Sequence, residues 1–197
     1  MTYPQLGKNA SNLLTALTDL INLIFKGEIP KILLPIFFGA SLCALKRKDG
    51  GVRPIAIGNT LRRLTFKIYN TGLVSNAIQY FLPLQFGVGV KGGAEGTFHS
   101  LRSFLKENMG SDNAVLKIDF KNAFNLVDRK CLLDVIAEKF PDAFLIIFQA
   151  YGTPLFLFFG CNTILSQKGV GQQDPLGPLL FNLIIHPLIS LAGSTGF

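Results

Sequence analysis

The aspartate at position 119 is the residue whose type and setting best suit chemistry. It lies near the end of residues 114–120 (AVLKIDF), a run that predicts a buried β-strand. A carboxylate at the end of a buried strand suits a hard divalent cation, because Mg²⁺ binds through one or two carboxylates together with substrate phosphates. A lone aspartate after a strand also serves as a turn former or a helix N-cap, so this residue alone leaves both interpretations open.

A cluster of basic residues is the second feature with chemical meaning. It contributes +6 of the net charge of +7, and it consists of Lys46, Arg47, Lys48, Arg53, Arg62, Arg63 and Lys67, with Asp49 as the acidic residue among them. Such a cluster suits a polyanionic partner, which could be nucleic acid, a nucleotide or an anionic membrane. A solvated charged face has the same pattern, and charge alone does not separate the two interpretations.

Other kinds of site are not indicated by the sequence. Cys43, Cys131 and Cys161 are far apart and odd in number, which argues against a disulfide framework or a zinc site. His99 and His186 are isolated from one another. Five glycines between positions 87 and 96 lack the spacing of a phosphate-binding loop, and they predict a flexible turn.

The spacing of apolar residues predicts the elements that must position these groups. Two β-hairpins are predicted, one from residues 42–45 and 52–57 with a basic tip and one from residues 155–159 and 163–166. Helices are predicted after Ser11, Asn59, Gly96, Asp128 and Asp142, and from Leu176 toward Leu188. Because the predicted helices and strands interleave, we expect the class to be α+β or α/β.

The composition is unusually apolar for a chain of 197 residues. Hydrophobic residues make up 49% and charged residues 16%, and the mean hydropathy is +0.39. This excludes wholesale disorder and leaves two explanations, a piece of a larger protein or a membrane-associated chain. Residues 143–167 and 175–197 contain no Lys, Arg, Asp or Glu, but Gly, Pro, Asn or Gln interrupt both. We therefore expect buried elements of a soluble fold and no membrane partner.

Three segments together resemble the motifs of reverse transcriptases, especially those of non-LTR (LINE-like) retroelements. Residues 45–55 (LKRKDGGVRPI) resemble the fingers motif, residues 119–125 (DFKNAFN) resemble motif A, and residues 172–181 (QQDPLGPLLF) resemble motif B. They occur in the family's order and, with their surroundings, cover roughly residues 42–186. The resemblance implies an α+β fold with the fingers and an incomplete palm of a right-hand polymerase, built on a small antiparallel sheet with packed helices.

The resemblance also implies roles for individual residues. Asp119 is the implied ligand of a catalytic Mg²⁺, assisted by the backbone carbonyl of Phe120, and Phe124 is the implied steric gate against a ribose 2′-hydroxyl. The implied nucleotide-binding residues are Arg47, Lys48, Arg53, Phe124 and Gln172. Guanidinium groups suit a triphosphate because they donate several hydrogen bonds in one plane. The implied reaction is two-metal attack of a primer 3′-oxygen on the α-phosphate of a deoxynucleoside triphosphate, directed by an RNA template.

Two departures from the family pattern bear on activity. The family supplies further metal-binding carboxylates from a later aromatic-x-Asp-Asp motif, which we place beyond Phe197, and no Asp-Asp pair occurs in this sequence. We therefore expect the catalytic carboxylate set to be incomplete and the chain to be inactive by itself. Gln173 occupies a position where the family usually has glycine, which predicts crowding where the backbone approaches the substrate.

These observations predict three regions and a ranked set of functions. The regions are an N-terminal helical segment (1–41), a fingers-like region with the basic β-hairpin (42–110) and a partial palm (111–197). The leading prediction is a fragment of a retrotransposon RNA-directed DNA polymerase, located in the nucleus or cytoplasm, whose partners include RNA template, DNA primer and the remainder of the polymerase. The alternative is a non-catalytic nucleic-acid-binding remnant, followed by a small membrane-associated protein.

Overall fold

The computed structural model describes residues 8–46, 48, 50–112, 115–171 and 173–194, which form helices packed around one four-stranded sheet. The helices are α1 (Lys8–Phe25), α2 (Leu34–Phe37), α3 (Thr60–Phe81), α4 (Gly93–Glu107), α5 (Ala123–Leu126), α6 (Arg129–Lys139), α7 (Phe144–Tyr151) and α8 (Gly177–Ser194). The strands are β1 (Ala40–Lys46), β2 (Val52–Gly58), β3 (Leu155–Phe159) and β4 (Asn162–Ser166). This is an α+β arrangement.

The sheet joins two hairpins that are distant in the sequence. Its strand order is β2-β1-β3-β4, and both hairpins pair in antiparallel fashion as their turn residues predict. The hairpins meet where β1 runs parallel to β3, with Ala40 opposite Leu157 and Ser41 opposite Phe158. The sheet is therefore mixed, and the prediction of an antiparallel sheet was wrong at this junction. The regions predicted at 42–110 and 111–197 share this one sheet.

Two helix starts follow from local hydrogen bonds. Asn59 caps α3, since its side-chain oxygen accepts from the backbone N–H of Arg62 at 2.8 Å. Asp128 caps α6 as the sequence predicts, accepting from the backbone N–H groups of Lys130 at 2.8 Å and Cys131 at 3.1 Å. These bonds stabilise the charged carboxylate, and they lower the pKa of Asp128.

The hydrophobic core lies among α3, α6, α7 and α8. Its fully buried side chains include Phe66, Phe81, Leu132, Ile136, Ile146, Ile147, Leu179 and Leu180. Both uncharged stretches of the sequence contribute to this core through α7 and α8. Among the described residues, no helix combines the length and the apolarity that crossing a bilayer requires.

The strand predicted at residues 114–120 is the element that the structure contradicts. Asn113 and Ala114 lie outside the described residues, and residues 115–120 have no regular secondary structure. Leu116 is 82% exposed and Ile118 is 65% exposed, and Asp119 is exposed as well. A strand forms only when a neighbour completes its hydrogen-bond ladder, and no described strand pairs with this segment. An apolar run predicts a strand but does not provide its partner.

His186 is a buried polar group of α8 with a specific partner. Its Nδ1 atom lies 2.8 Å from Nε2 of Gln85, and the Tyr80 ring packs beside it with the ring centroids 4.4 Å apart. Gln85 Nε2 also donates to the backbone carbonyl of Asn182 at 3.2 Å. Burial disfavours the charged imidazolium, and it lowers the pKa of His186 below the ordinary value of 6.5.

We expect this histidine to make the stability of the fold depend on pH. The unfolded chain takes up a proton at His186 as the pH falls below about 6.5, while the folded protein resists it, so the free energy of unfolding decreases as the pH falls. Urea unfolding between pH 7.5 and pH 5 measures this decrease. His186→Phe should flatten the profile in that range, whereas His99→Gln, on the exposed α4, should retain it. Equal profiles for the two variants would contradict the assignment.

Candidate functional site

A cavity of about 320 Å³ lies under one face of the sheet, and we call it the sheet cavity. Alternating residues of the strands form its apolar wall, including Leu42, Ala56, Leu157 and Ile164. The opposite wall is polar and comes from the ends of helices and from the segment that leads into α8. The cavity therefore combines an apolar wall with a small number of placed polar groups, which is typical of ligand sites.

The polar wall centres on a buried ion pair between Arg62 and Asp174. The Arg62 Nη2 atom lies 2.6 Å from Oδ2 of Asp174 and 3.2 Å from Oη of Tyr151, while Arg62 Nη1 donates to the backbone carbonyl of Phe38. The Tyr151 hydroxyl also donates to Oδ2 of Asp174. One carboxylate therefore receives hydrogen bonds from two side chains that reach it from different helices.

The environment of Arg62 keeps its guanidinium charged. Burial by itself lowers the pKa of Arg62, but the negative charge of Asp174 and the hydrogen bonds outweigh it and leave the pKa above its ordinary value. Burial and the nearby carboxylate both raise the pKa of Tyr151. Tyr151 therefore stays a neutral hydroxyl that can donate to Asp174 throughout the physiological pH range.

Arg129 is a second buried guanidinium beside Tyr151. Its Nε donates to the carbonyl of Gly169 at 2.9 Å, and its Nη1 donates to the carbonyl of Ser166 at 2.8 Å. The guanidinium carbon lies 5.4 Å from the centre of the Tyr151 ring, within cation–π range. Burial disfavours the charged guanidinium and lowers the pKa of Arg129, and the positive charge of Arg62 also lowers it. Arg129 thereby ties the start of α6 to the segment between β4 and α8.

The segments that resemble motifs A and B pack against each other. The carbonyl of Phe124 accepts a hydrogen bond from Val170 N at 2.8 Å, just before the motif B segment. The Phe124 ring lies 5.4 Å from that of Phe181, centroid to centroid, and the Phe120 and Phe181 rings are 5.9 Å apart. A Cβ added at Gly177 would lie 3.5 Å from the Phe124 ring. Two segments that are distant in the sequence therefore form one contact surface.

The structure places the predicted site residues in two groups. Phe120 and Phe124 lie at the contact between the two motif segments, and Asp119 is exposed beside them. Lys48 and Arg53 are exposed on the β1–β2 hairpin. Arg47 and Gln172 lie outside the described residues. Gln173 lines the sheet cavity.

The sequence predictions missed the part that Arg62 plays. Arg62 was counted with the basic cluster, but it is only 4% exposed and is paired with Asp174, so it does not contribute to a solvated basic surface. In the sequence, Asp174 is distinguished only by lying in the segment that resembles motif B. One local signal for this burial was present in the sequence. Arg62 lies in the first turn after the helix cap Asn59, only four residues after the end of β2, so the strand end can cover its side chain. The partner of that arginine is 112 positions away, and nothing local indicates it.

The described residues do not supply a metal site. They contain no group of three or more His, Cys, Asp or Glu side chains that could hold a metal ion. Asp119 is exposed, and a single carboxylate does not satisfy the requirement of two-metal catalysis. The described residues therefore do not fit a catalytic Mg²⁺ pair.

Comparison with known proteins relates the chain to a retroelement. No protein-family model matches it. Over 172 residues it is 25% identical to the 132 kDa protein of the retrotransposable element SLACS from Trypanosoma brucei gambiense. The match covers 84% of this chain but only 14% of that protein. Most of the chain is thus similar to one short part of a retrotransposon-encoded protein.

Proposed function

We propose that this chain is the fingers and part of the palm of a retroelement RNA-directed DNA polymerase, and that it binds primed template and deoxynucleoside triphosphate. The observation that carries the proposal is the packing of the motif A segment on the motif B segment around Phe124 and Phe181. The similarity to a retrotransposable element protein along 84% of the chain supports the same assignment. Fold alone would not suffice, because one fold hosts many functions.

The β1–β2 hairpin is the proposed contact for phosphates. Lys48 and Arg53 are exposed on it, and the strands of this hairpin belong to the sheet that walls the cavity. Two exposed cations on one hairpin suit a triphosphate or a nucleic-acid backbone, because each can neutralise one phosphate. Phe124, anchored by its contacts to Val170 and Phe181, is the proposed gate against ribonucleotides.

The experiment that tests this function measures two kinds of binding by the whole chain. A fluorescent DNA primer annealed to an RNA template reports nucleic-acid affinity at several salt concentrations, and titration calorimetry reports the affinities for a deoxy- and a ribonucleoside triphosphate. We expect Lys48→Ala/Arg53→Ala to weaken both and to reduce the salt slope by about 1 for each side chain. We expect Phe124→Ala to improve ribonucleotide binding relative to deoxynucleotide binding.

A matched control isolates the hairpin from general charge effects. Lys26→Ala/Lys130→Ala removes two exposed lysines, one just after α1 and one from α6, and it should leave both affinities unchanged. If this control loses as much affinity as the hairpin variant, the hairpin cations contribute only general positive charge and do not form a specific site. If the unmodified chain binds no triphosphate, the polymerase assignment is contradicted.

A non-catalytic nucleic-acid-binding remnant is the second candidate. The exposed hairpin cations favour it, as does the lack of a metal-holding group among the described residues. It predicts binding of the primed template that depends on Lys48 and Arg53, is indifferent to Asp119→Ala and is unaffected by added triphosphate. A template affinity that rises with the complementary deoxynucleotide would instead favour the polymerase assignment.

A further inference from the structure

We propose that Arg62 is a positioning residue whose buried ion pair with Asp174 fixes residues 173–177 against the end of the β1–β2 hairpin. The contacts that fix these residues all lie within this chain. The consequence for nucleotide binding rests on the proposed function, in which the motif B segment faces the nucleotide.

A single side chain connects three separate parts of the chain. Arg62 extends from the first turn of α3 and contacts the carbonyl of Phe38, the hydroxyl of Tyr151 and the carboxylate of Asp174. The last residue of β2, Gly58, lies directly against it, since a Cβ there would be 3.0 Å from Cδ of Arg62. The end of the hairpin, the end of α7 and the approach to α8 therefore meet at one guanidinium.

Asp174 is the residue through which this contact determines the path of the segment. Its backbone N–H donates to the carbonyl of Gly171 at 3.0 Å, and its own carbonyl accepts from Gly177 N at 2.9 Å. Its Oδ1 accepts a hydrogen bond from Leu176 N at 2.9 Å. Its Oδ2 accepts hydrogen bonds from Arg62 Nη2 and from the Tyr151 hydroxyl. Two consecutive turns meet at Asp174, so fixing its carboxylate fixes the backbone from Asp174 to Gly177.

The chemistry of the pair favours a positional role over a purely stabilising one. A buried ion pair adds little net stability compared with apolar residues of similar volume, because desolvation offsets the attraction. It does require one geometry, since the carboxylate must meet donors from fixed directions. Removing both charges together should therefore preserve folding and relax the segment.

The test compares the double variant Arg62→Met/Asp174→Asn with the unmodified chain. The introduced amide side chain retains an oxygen that can accept from Leu176 N, so the start of α8 is kept. We expect an unfolding midpoint close to that of the unmodified chain, together with faster hydrogen–deuterium exchange at the backbone amides of position 174 and Gly177. We also expect deoxynucleoside triphosphate binding about 3- to 30-fold weaker. Lys130→Met/Asp134→Asn, which removes an exposed lysine and aspartate from α6, is the matched control and should change none of these.

The outcomes separate this proposal from the proposed function. Unchanged exchange at the amides of positions 174 and 177 in the double variant overturns the positioning role, whatever happens to nucleotide binding. Faster exchange with unchanged triphosphate affinity overturns the consequence for the nucleotide. If the unmodified chain binds no triphosphate, the proposed function fails, and the exchange measurement still decides whether Arg62 positions the segment.

Discussion

Replacing Arg62 by alanine is expected to lower the free energy of unfolding by about 3–5 kcal/mol, because it leaves Asp174 buried without its cationic partner. The side chains of the pair are 5% and 2% exposed, so water cannot readily replace the lost contact. The carbonyl of Phe38 loses a donor in the same change. The Tyr151 hydroxyl and the N–H of Leu176 still donate to the Asp174 carboxylate, but neither carries a positive charge.

Arg63→Ala is the natural control for this prediction. Arg63 is the next residue of α3, has the same side chain and is exposed, and its loss should change the free energy of unfolding by about 0.5 kcal/mol or less. Urea unfolding of both variants at neutral pH measures the difference. Equal losses for Arg62→Ala and Arg63→Ala would mean that the pair contributes nothing beyond a surface charge.

Gly169→Ala is expected to have the second large effect, because it crowds the end of the motif A segment against the residues that precede the motif B segment. Gly169 has a φ of +78°, and a Cβ there would lie 2.6 Å from the carbonyl oxygen of Asn125 and 2.8 Å from its carbonyl carbon. These are backbone atoms, so they cannot rotate away as a side chain could. The left-handed conformation costs about 1–2 kcal/mol, and the crowding adds about 1–3 kcal/mol.

Gly160→Ala separates these two contributions. Gly160 also has a positive φ, +57°, but nothing lies within 4 Å of its added Cβ, so this variant carries only the conformational cost. The difference between the two variants in urea unfolding reports the contact between residue 169 and Asn125. Because the neighbouring Val170 N bonds to Phe124, Gly169→Ala should also weaken triphosphate binding if the proposed function is right. A difference near zero would show that the segment relaxes without cost.

The elements that the sequence predicts well are those with local signals. Gly50 and Gly160 mark the tips of hairpins, and both hairpins form as predicted. Asp128 caps its helix through bonds to residues two and three positions away. The resemblance of three segments to polymerase motifs also rests on local residue patterns, and the roles it implies for Phe120 and Phe124 stay predictions. In each case the signal lies within a few neighbouring residues, so the local pattern contains it.

The predictions that failed depend on partners far away in the chain. Residues 115–120 have the composition of a strand, but a strand also needs a neighbour, and no described strand provides one. The sheet became mixed because β1 pairs with β3, which is distant from it in the sequence. The periodicity of one segment shows neither whether that segment finds a strand to pair with nor which strand it pairs with.

The sequence alone determined the local elements of this protein, the concentration of basic residues between positions 46 and 67 and the three segments that resemble polymerase motifs. Only the tertiary structure decided which charges are buried and which segments touch. Arg62 and Arg63 are adjacent and chemically identical, yet one is buried against Asp174 and the other faces solvent. That difference arises because the end of β2 and the segment before α8 both pack over Arg62, and such packing is a property of the assembled fold.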